Sequence, residues 1–366
     1  MAKYDVIVVG GGVIGVSVAY GLARSGQKTA VLDEGDVAFR AARGNFGLIW
    51  VQGKGVNCPE YARWTRRSAD SWKHFTQELE KLSGINIGYC RPGGMNLCLS
   101  HEEMETRTGL IARLIDESDG EFKGSMLSRE AIMERLPGIG PSVLGASFSP
   151  MDGHVNPLLL LRALYSAFKQ KGGDLRTETV TDISWRKSVF KVTTTKGEVS
   201  ANKIVLAAGL GNRKFAPKVG LNVPVHPERG QILVTERLQP FLKYPTSLVR
   251  QTKEGGVLLG DSHEDVGFND GTSPRVMASI AQRARSIFPH LEKARIVRAW
   301  GALRILAPDG LPIYDQSISC PGAFTASSHS GVTLAATHAL DFPKYVIEGA
   351  LPTQLNAMSE KRFHVH

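Results

Sequence analysis

A glycine-rich turn near the start of the chain constrains the fold more than any other feature. Residues 4–9 form a continuous apolar, β-branched run, which predicts a strand buried on both faces. Gly10, Gly12 and Gly15 follow in the spacing GxGxxG, and the next residues predict a helix from Val13. Gly10 permits a tight turn, Gly12 lets backbone amides approach a pyrophosphate, and Gly15 lets the helix pack on the strand. The segment therefore predicts a dinucleotide-binding α/β unit.

The acid after the second predicted strand narrows the choice of dinucleotide. Residues 29–32 predict that strand, and Asp33 follows about 20 residues after the glycine turn, where a carboxylate binds ribose hydroxyls. A carboxylate there disfavours a 2′-phosphate, so FAD or NAD is expected rather than NADP. An NAD domain continues with another strand and helix, whereas residues 35–55 are rich in Gly, Arg and Asn and lack periodicity. Such a loop brings backbone amides and Arg43 or Asn45 against a pyrophosphate and a flavin ring, which favours FAD.

Two distant segments complete the predicted nucleotide-binding unit. Residues 201–212 predict a buried strand that runs into small residues, where only a thin backbone fits beside a nucleotide. Residues 323–340 predict a strand, a Ser/Gly turn and the start of a helix. We expect the N-terminus of that helix to face the negative charge that develops on a reduced flavin.

Composition excludes several classes of protein. The chain of 366 residues suits two domains, and no apolar run reaches the roughly 20 residues of a spanning helix. The first strand begins too early to leave room for a signal peptide. Four scattered cysteines form no CxxC pair, so we expect reduced thiols, a cytoplasmic location and no metal site held by this chain alone. The net charge of +9 is spread along the chain, which argues against nucleic acid and fits solubility or the steering of anionic substrates or an acidic partner.

Taken together, the sequence resembles the D-amino-acid oxidase-like flavoenzymes, which include glycine oxidase, sarcosine oxidase and related dehydrogenases. The resemblance rests on the blocks GGGVIGVSVAYGLARSG, GNFGL, DGHVNPLLLLRAL, IVLAAG, ERGQILVTE, RILAPDGLPI and SSHSGVTLA, in that order. Within the group, the segments FRAARGNFGLIWVQGKG and LVRQTKEGGVLLGDSHEDVGF are most similar to β subunits of opine oxidases and D-hydroxyproline dehydrogenases.

The resemblance implies an α/β fold in which a Rossmann-like FAD-binding domain is interleaved with an α+β substrate domain built mainly on an antiparallel sheet. The FAD-binding domain is expected from residues 1–85, 148–218 and 302–366. The substrate-binding domain is expected from residues 86–147 and 219–301. Alternating apolar residues in the last of these ranges are typical of antiparallel strands.

The resemblance also implies that FAD is held without a covalent bond. Relatives with covalent flavin use a cysteine soon after the arginine that corresponds to Arg304, or a histidine near the N-terminus. Here Ile, Leu and Ala follow Arg304, and no histidine precedes His74. The resemblance places the following residues against the cofactor: Gly10, Gly12, Val13, Ile14, Gly15, Asp33, Glu34, Arg40, Arg43, Gly44, Asn45, Phe46, Gly47, Leu48, Val180, Ala207, Ala208, Gly209, Arg304, His329, Ser330, Gly331, Val332 and Thr333.

Three residues are predicted to contact the substrate. Arg304 matches the family's arginine that forks onto the substrate carboxylate. Arg250 and Tyr244, in the predicted sheet, are candidates to contact a second substrate carboxylate or a guanidinium. Hydride transfer needs no strong general base, so none is assigned. Some oxidases of the family place a lysine over the flavin to assist oxygen, but the matching residues 257–260 are Val, Leu, Leu and Gly, so we expect slow reaction with oxygen.

Three functions remain open from the sequence. The first is a catalytic β subunit that oxidises an opine such as octopine or nopaline, or D-hydroxyproline, by hydride transfer to flavin N5. Its electrons would pass to an α subunit with a further flavin or an iron–sulfur carrier. The second is a stand-alone oxidase of glycine, sarcosine or D-amino acids that makes hydrogen peroxide. The third is a flavin-bearing electron-relay subunit without catalysis of its own.

Overall fold

The structure is a computed structural model that describes residues 3–35 and 41–363. The strands are β1 (Tyr4–Val9), β2 (Thr29–Asp33), β3 (Leu48–Ile49), β4 (Gly94–Cys98), β5 (Ser125–Ser128), β6 (Gly145–Ser149), β7 (Gly153–His154), β8 (Asp174–Thr177), β9 (Val180–Arg186), β10 (Val189–Thr194), β11 (Gly197–Leu206), β12 (His226–Arg237), β13 (Val249–Gln251), β14 (Gly256–Leu259), β15 (Ile296–Leu306), β16 (Ile313–Gln316) and β17 (Ala323–Ser327). The helices are α1 (Val13–Arg24), α2 (Pro59–Ser83), α3 (His101–Asp116), α4 (Arg129–Arg135), α5 (Pro157–Gln170), α6 (Asn212–Phe215), α7 (Pro274–Ile287), α8 (Ala335–Leu340) and α9 (Phe342–Glu348).

A mainly parallel sheet forms the nucleotide-binding half of the molecule. Its strand order is β16-β17-β11-β1-β2-β8, and β10 and β9 extend it as an antiparallel ribbon from β11. The parallel pairs are β1 with β2, β1 with β11, β2 with β8 and β11 with β17. Because the chain leaves β1 for β2 on one side and returns to β11 on the other, the carboxyl end of β1 is a topological switch point, where α/β folds bind ligands.

Both faces of this sheet are covered by apolar side chains. Helices α1, α2, α5, α8 and α9 bury one face, with Trp72, Phe75 and Phe168 fully enclosed. The other face packs against residues 215–225 and the ribbon of β9 and β10. Burial on both faces explains the continuous apolar run of β1. No helix among the described residues is both long and apolar enough to cross a membrane.

The remaining strands form antiparallel sheets, as the resemblance implied: a two-stranded sheet of β3 and β7, and two larger sheets. One has the order β13-β14-β12-β15 and the other β4-β6-β5, and they share an apolar core with α4 and α7. The expected domain limits at 147/148 and 301/302 fall inside β6 and β15, both of which pair with these antiparallel sheets. The division into domains stays a prediction, but Arg304 lies on β15 and so on the antiparallel side.

Candidate active site

A cavity of about 550 Å³ lies where the two halves of the molecule meet. Its floor is formed by the carboxyl ends of β1, β2, β11 and β17, and β12 and β15 of the antiparallel sheet close it from above. This volume falls within the ordinary range of ligand and cofactor sites. The cavity therefore joins the switch point of the parallel sheet to the sheet that carries Arg304.

The glycine turn forms one end of this cavity. Gly10 has φ +103°, and a Cβ there would lie 2.4 Å from the carbonyl oxygen of Ala207. Gly12 caps α1 without any side-chain hydrogen bond among the described residues, and a Cβ on it would project into space whose nearest atom is the Ala42 Cβ at 4.0 Å. The first turn of α1 thus presents backbone amides to an open cradle, which fits a pyrophosphate.

Asp33 lies beside the turn as the ribose site requires. Its Oδ2 accepts a 2.7 Å hydrogen bond from the Gly11 amide, and its Oδ1 accepts one of 3.0 Å from the Gly35 amide. Asp33 and Glu34 both line the cavity. An ionised carboxylate is an acceptor-only group with several lone pairs, which suits it to receive hydrogen bonds from ribose hydroxyls.

The serine-rich turn that follows β17 forms the opposite wall of the cavity. Ser330 Oγ accepts a 2.8 Å hydrogen bond from the Tyr61 hydroxyl, and the carbonyl oxygen of Thr333 accepts one of 2.9 Å from Trp72 Nε1. Both donors belong to α2, so that long helix positions the turn. We expected a helix N-terminus here, but α8 begins only at Ala335, behind the cavity-lining residues.

Arg304 projects from β15 into the cavity between two carboxylates. Its Nη1 donates to Glu228 Oε1 at 3.1 Å and to the Ser262 carbonyl at 2.7 Å, and its Nη2 donates to Asp261 Oδ2 at 2.8 Å. Gly230 makes this position possible, because a Cβ there would lie 2.5 Å from Arg304 Nη2. The Arg304 side chain is 17% exposed, so its charge is largely buried at the cavity wall.

His263 and Asp261 stabilise each other beside this arginine. Although burial acts to raise it, the pKa of Asp261 is lowered by a hydrogen bond with His263 and by the positive charge of Arg304. The hydrogen bond with Asp261 raises the pKa of His263 above its ordinary value. His263 Nδ1 also lies 2.8 Å from Glu228 Oε1. Arg304 therefore faces the cavity as part of a charge network that includes two anions.

Lys54 is a second cation at the cavity wall. Its Nζ lies 3.4 Å from His329 Nδ1, and burial together with the charge of Arg304 lowers its pKa to about 8. Burial and the charges of Lys54 and Arg304 hold the pKa of His329 well below its ordinary value, so His329 is neutral at pH 7. Buried Asp152 fixes the lysine's loop, since its Oδ1 accepts from the amide of Gln52 at 3.3 Å and its Oδ2 from Gln52 Nε2 at 2.6 Å.

A family model described as FAD dependent oxidoreductase matches residues 5–340. The chain belongs to this family. It is 41% identical over 366 residues to an opine oxidase subunit of Agrobacterium tumefaciens (strain Ach5), covering 100% of this chain and 99% of that protein. The corresponding opine oxidase subunit of Rhizobium meliloti is 41% identical, with coverage of 99% and 98%. The crystal structure of glycine oxidase from Geobacillus kaustophilus superposes with a TM-score of 0.91 at 25% identity and covers 100% of both chains.

These findings identify the chain as an FAD-dependent oxidoreductase that acts on the C–N bond of amine acids. Of the residues predicted to contact FAD, Gly15 and Gly47 do not line the cavity, and Arg40 lies outside the described residues. The others form its wall: Gly10, Gly12, Val13, Ile14, Asp33, Glu34, Arg43, Gly44, Asn45, Phe46, Leu48, Val180, Ala207, Ala208, Gly209, Arg304, His329, Ser330, Gly331, Val332 and Thr333.

Gly15 and Gly47 do not contact the cavity of this flavoenzyme, but both are packed against backbone atoms near it. A Cβ on Gly15 would lie 2.0 Å from the carbonyl oxygen of Gly10, so its role is to let α1 pack against the turn. Gly47 has φ +89°, and a Cβ there would lie 2.4 Å from the carbonyl oxygen of Val155. Both glycines therefore shape the backbone that lines the cofactor site without reaching the cavity.

The structure places Arg250 and Tyr244 outside the set of residues that line the cavity. Arg250 is 3% exposed, and its Nε donates a 2.6 Å hydrogen bond to the carbonyl oxygen of Phe46. Tyr244 packs edge-on against Phe148, with ring centroids 5.8 Å apart. Neither lines the cavity. Arg250 holds the loop of residues 43–48 in place, because its side chain donates a hydrogen bond to a backbone carbonyl of that loop.

Sequence reasoning missed the lysine that does reach the site. It excluded a lysine only from residues 257–260, whereas Lys54 arrives from the loop after β3. The available signal was the triplet Gly53-Lys54-Gly55, whose glycines have φ +99° and +75° and so turn the chain sharply on either side of the lysine. Asp261 was also missed, since nothing in the sequence pairs it with Arg304.

Proposed function

We propose that this flavoenzyme is the catalytic subunit of a dehydrogenase that oxidises a secondary amine acid, either an opine such as octopine or nopaline, or D-hydroxyproline. The observation that carries the proposal is the Arg304 guanidinium at the wall of a cavity that also holds the nucleotide-binding turn. The opine oxidase relatives at 41% identity over the whole chain support the choice of substrate class.

Bound FAD supplies a hydride acceptor at N5 for the hydrogen on the carbon next to the substrate nitrogen. The protein's task is placement, and Arg304 performs it by binding the substrate carboxylate with planar, directional donors. His329 adds no positive charge to the cavity at pH 7, because burial and the charges of Lys54 and Arg304 hold its pKa well below its ordinary value.

The proposal includes a partner subunit that receives the electrons. Both opine oxidase relatives are named as one subunit of their enzyme, which supports a multi-subunit assembly. We propose an α subunit that carries a further flavin or an iron–sulfur carrier. A cytoplasmic complex is part of this proposal, and the free state of Cys58, Cys90, Cys98 and Cys320 is in keeping with it.

Anaerobic flavin bleaching tests the proposed chemistry. The purified protein is mixed with octopine, nopaline, D-hydroxyproline, glycine, sarcosine and D-alanine, and flavin absorbance is followed. We expect bleaching with at least one opine or with D-hydroxyproline, and a loss of about 100-fold or more in kcat/KM in Arg304→Leu, because truncation leaves the substrate carboxylate unpaired. Arg304→Lys should retain part of the activity. If no secondary amine acid bleaches the flavin, the proposal is wrong.

The stand-alone oxidase is the second candidate, favoured by the structural likeness to glycine oxidase. Rapid peroxide formation by this chain alone, with glycine or sarcosine as substrate, would establish it in place of the dehydrogenase. A relay protein would keep its electron transfer in Arg304→Leu, since it binds no amine acid. The three functions thus give different results in two assays.

A further inference from the structure

Lys54 faces this cavity without a counter-ion among the described residues. Within residues 3–35 and 41–363, no carboxylate lies within ion-pair distance of the Lys54 Nζ. Its one side-chain hydrogen-bond partner in those ranges is His329, which is neutral at pH 7. Arg304, by contrast, is accompanied by Glu228 and Asp261. A partly buried ammonium loses hydration, and that loss is offset only when an anion pairs with it.

The loop around Lys54 is built to hold this amine in place. The Lys54 amide donates a 3.0 Å hydrogen bond to the Val51 carbonyl, which closes a tight turn. A Cβ on Gly55 would lie 2.2 Å from the Ala62 amide nitrogen, so the turn is packed directly against the start of α2. Arg107 Nη2 donates at 2.7 Å to Gln52 Oε1, which ties the same turn to α3. Lys54 is therefore presented to the cavity by a rigid support.

Lys54 and Arg304 are two of the cations that line the cavity, and they come from different elements. Lys54 follows β3, and Arg304 lies on β15 of the antiparallel sheet. Burial, together with the positive charge of Arg304, lowers the pKa of Lys54 to about 8, so the charged form of Lys54 is disfavoured unless an anion binds beside it. An N-substituted amino acid with a carboxylate on each side of its nitrogen supplies two anions joined by one amine.

We propose that Lys54 binds the second carboxylate of the substrate, while Arg304 binds the first, so that the enzyme selects N-carboxyalkyl amino acids over secondary amines with a single carboxylate. This inference rests on the proposed oxidation of secondary amine acids and narrows it. The amine nitrogen then lies between the two anchored carboxylates, and the two contacts fix the substrate's orientation as well as its position.

Binding of thioether analogues tests the inference without turnover. Thiodiglycolate carries two carboxylates around a sulfur, (methylthio)acetate carries one, and neither has an amine to oxidise. Each is titrated into the holoenzyme, and Kd is measured from the flavin spectrum and by calorimetry. We expect thiodiglycolate to bind about tenfold or more tightly than (methylthio)acetate, because a paired cation adds about that factor. Lys54→Met should abolish the difference, and Lys54→Arg should preserve most of it.

The matched control is Lys73→Met, which removes an exposed lysine from α2 and should leave the ratio of the two Kd values unchanged. Equal Kd values in the wild-type protein overturn the inference, as does an equal weakening of both ligands in Lys54→Met. The same ratio is then measured as kcat/KM for an N-(1-carboxyethyl) amino acid against an N-methyl amino acid. If no amine acid is oxidised but thiodiglycolate keeps its advantage, the proposed reaction fails and the diacid site stands.

Discussion

Gly230 and Arg304 lie on the neighbouring strands β12 and β15. Because Gly230 has no side chain, the Arg304 guanidinium can lie directly against it. A Cβ on Gly230 would lie within 2.5 to 2.7 Å of three guanidinium atoms. Those atoms are the far end of a flexible side chain, so the protein can accommodate the methyl group by moving them. A methyl group at position 230 is therefore expected to weaken substrate binding and to leave the stability of the fold almost unchanged.

We therefore expect Gly230→Ala to raise KM for the substrate by about tenfold or more while the melting temperature changes little. The displaced guanidinium no longer meets the substrate carboxylate in bidentate geometry. Steady-state kinetics and thermal unfolding of the holoenzyme measure the two effects. Gly256→Ala on β14 is the control, since its nearest atom would be Thr252 Oγ1 at 3.6 Å. A melting temperature that falls sharply with unchanged KM would contradict this account.

Lys54 should give the enzyme a pH dependence for diacid substrates. Because its pKa in the free protein is lowered to about 8, the amine is charged below that pH and neutral above it. We expect kcat/KM for an N-carboxyalkyl amino acid to fall as pH rises through about 8, since kcat/KM reports the free enzyme. Lys54→Arg should lose this decline, because arginine stays charged. A decline of the same midpoint in Lys54→Arg would assign it to another group.

At the residue scale, sequence spacing predicted the glycine turn that binds the nucleotide but did not predict the charged residues Asp261 and Lys54 on the opposite side of the cavity. Gly10, Gly12 and Asp33 are recognisable because their spacing along the chain dictates their spacing in space. Asp261 and Lys54 are separated from Arg304 by long stretches of chain, and only tertiary packing brings them together. The same limit applies to Arg250, whose hydrogen bond to the Phe46 carbonyl, 204 residues earlier in the chain, has no local signal in the sequence.

At the scale of elements, the start of helix α1 was predictable because the glycine turn marks it. Helix α1 begins at Val13, directly after that turn. Ser100 Oγ accepts from the Glu103 amide and caps α3. Sheet membership was harder, because β6 and β15 pair with strands from other parts of the chain, and no local signal announces a partner.

The loop after β14 is anchored by a buried ion pair, which gives a stability prediction. Glu264 lies 2.6 Å from Arg229 Nη2, and hydrogen bonding from Arg229 lowers its pKa to about 2. A carboxyl group whose pKa is lower in the folded state than in the unfolded state stabilises the folded protein at any pH above the unfolded-state pKa. This stabilisation is lost as the pH falls toward the folded-state pKa of about 2. The pair is largely buried, so breaking it leaves Arg229 without its anion.

We expect Glu264→Gln to lower the free energy of unfolding at pH 7 by about 3 kcal/mol, and by less at pH 3. Urea denaturation of the holoenzyme at both pH values measures the difference. Glu198→Gln, which removes the exposed partner of Lys191, should leave stability almost unchanged. A loss at pH 3 as large as at pH 7 would show that the charge of Glu264 is not the cause.

At the scale of the whole molecule, the antiparallel sheet holds the flavin loop as well as the substrate. Arg250 donates to the Phe46 carbonyl, and Trp300 Nε1 donates a 3.2 Å hydrogen bond to the Gly44 carbonyl. These bonds tie the loop of residues 43–48, most of which line the cofactor cavity, to β13 and β15. The loop of residues 43–48 therefore connects the antiparallel sheet to the nucleotide-binding half of the molecule.

We expect Arg250→Met to weaken FAD binding by about tenfold or more and to change KM little once FAD is saturating. The variant keeps a long side chain but leaves the partly buried Phe46 carbonyl without its charged donor. Titration of the apoprotein with FAD, followed by flavin fluorescence, gives the Kd. Arg250→Lys should recover part of the affinity. A raised KM with unaltered FAD binding would instead restore Arg250 as a substrate contact.

The two anions beside Arg304 have a consequence for product release. Because Asp261 and Glu228 pair with the guanidinium, a substrate carboxylate competes with these two residues for the same donors. The same two carboxylates re-form their pairs with Arg304 when the oxidised product leaves, so the guanidinium is not left as an unpaired, largely buried charge.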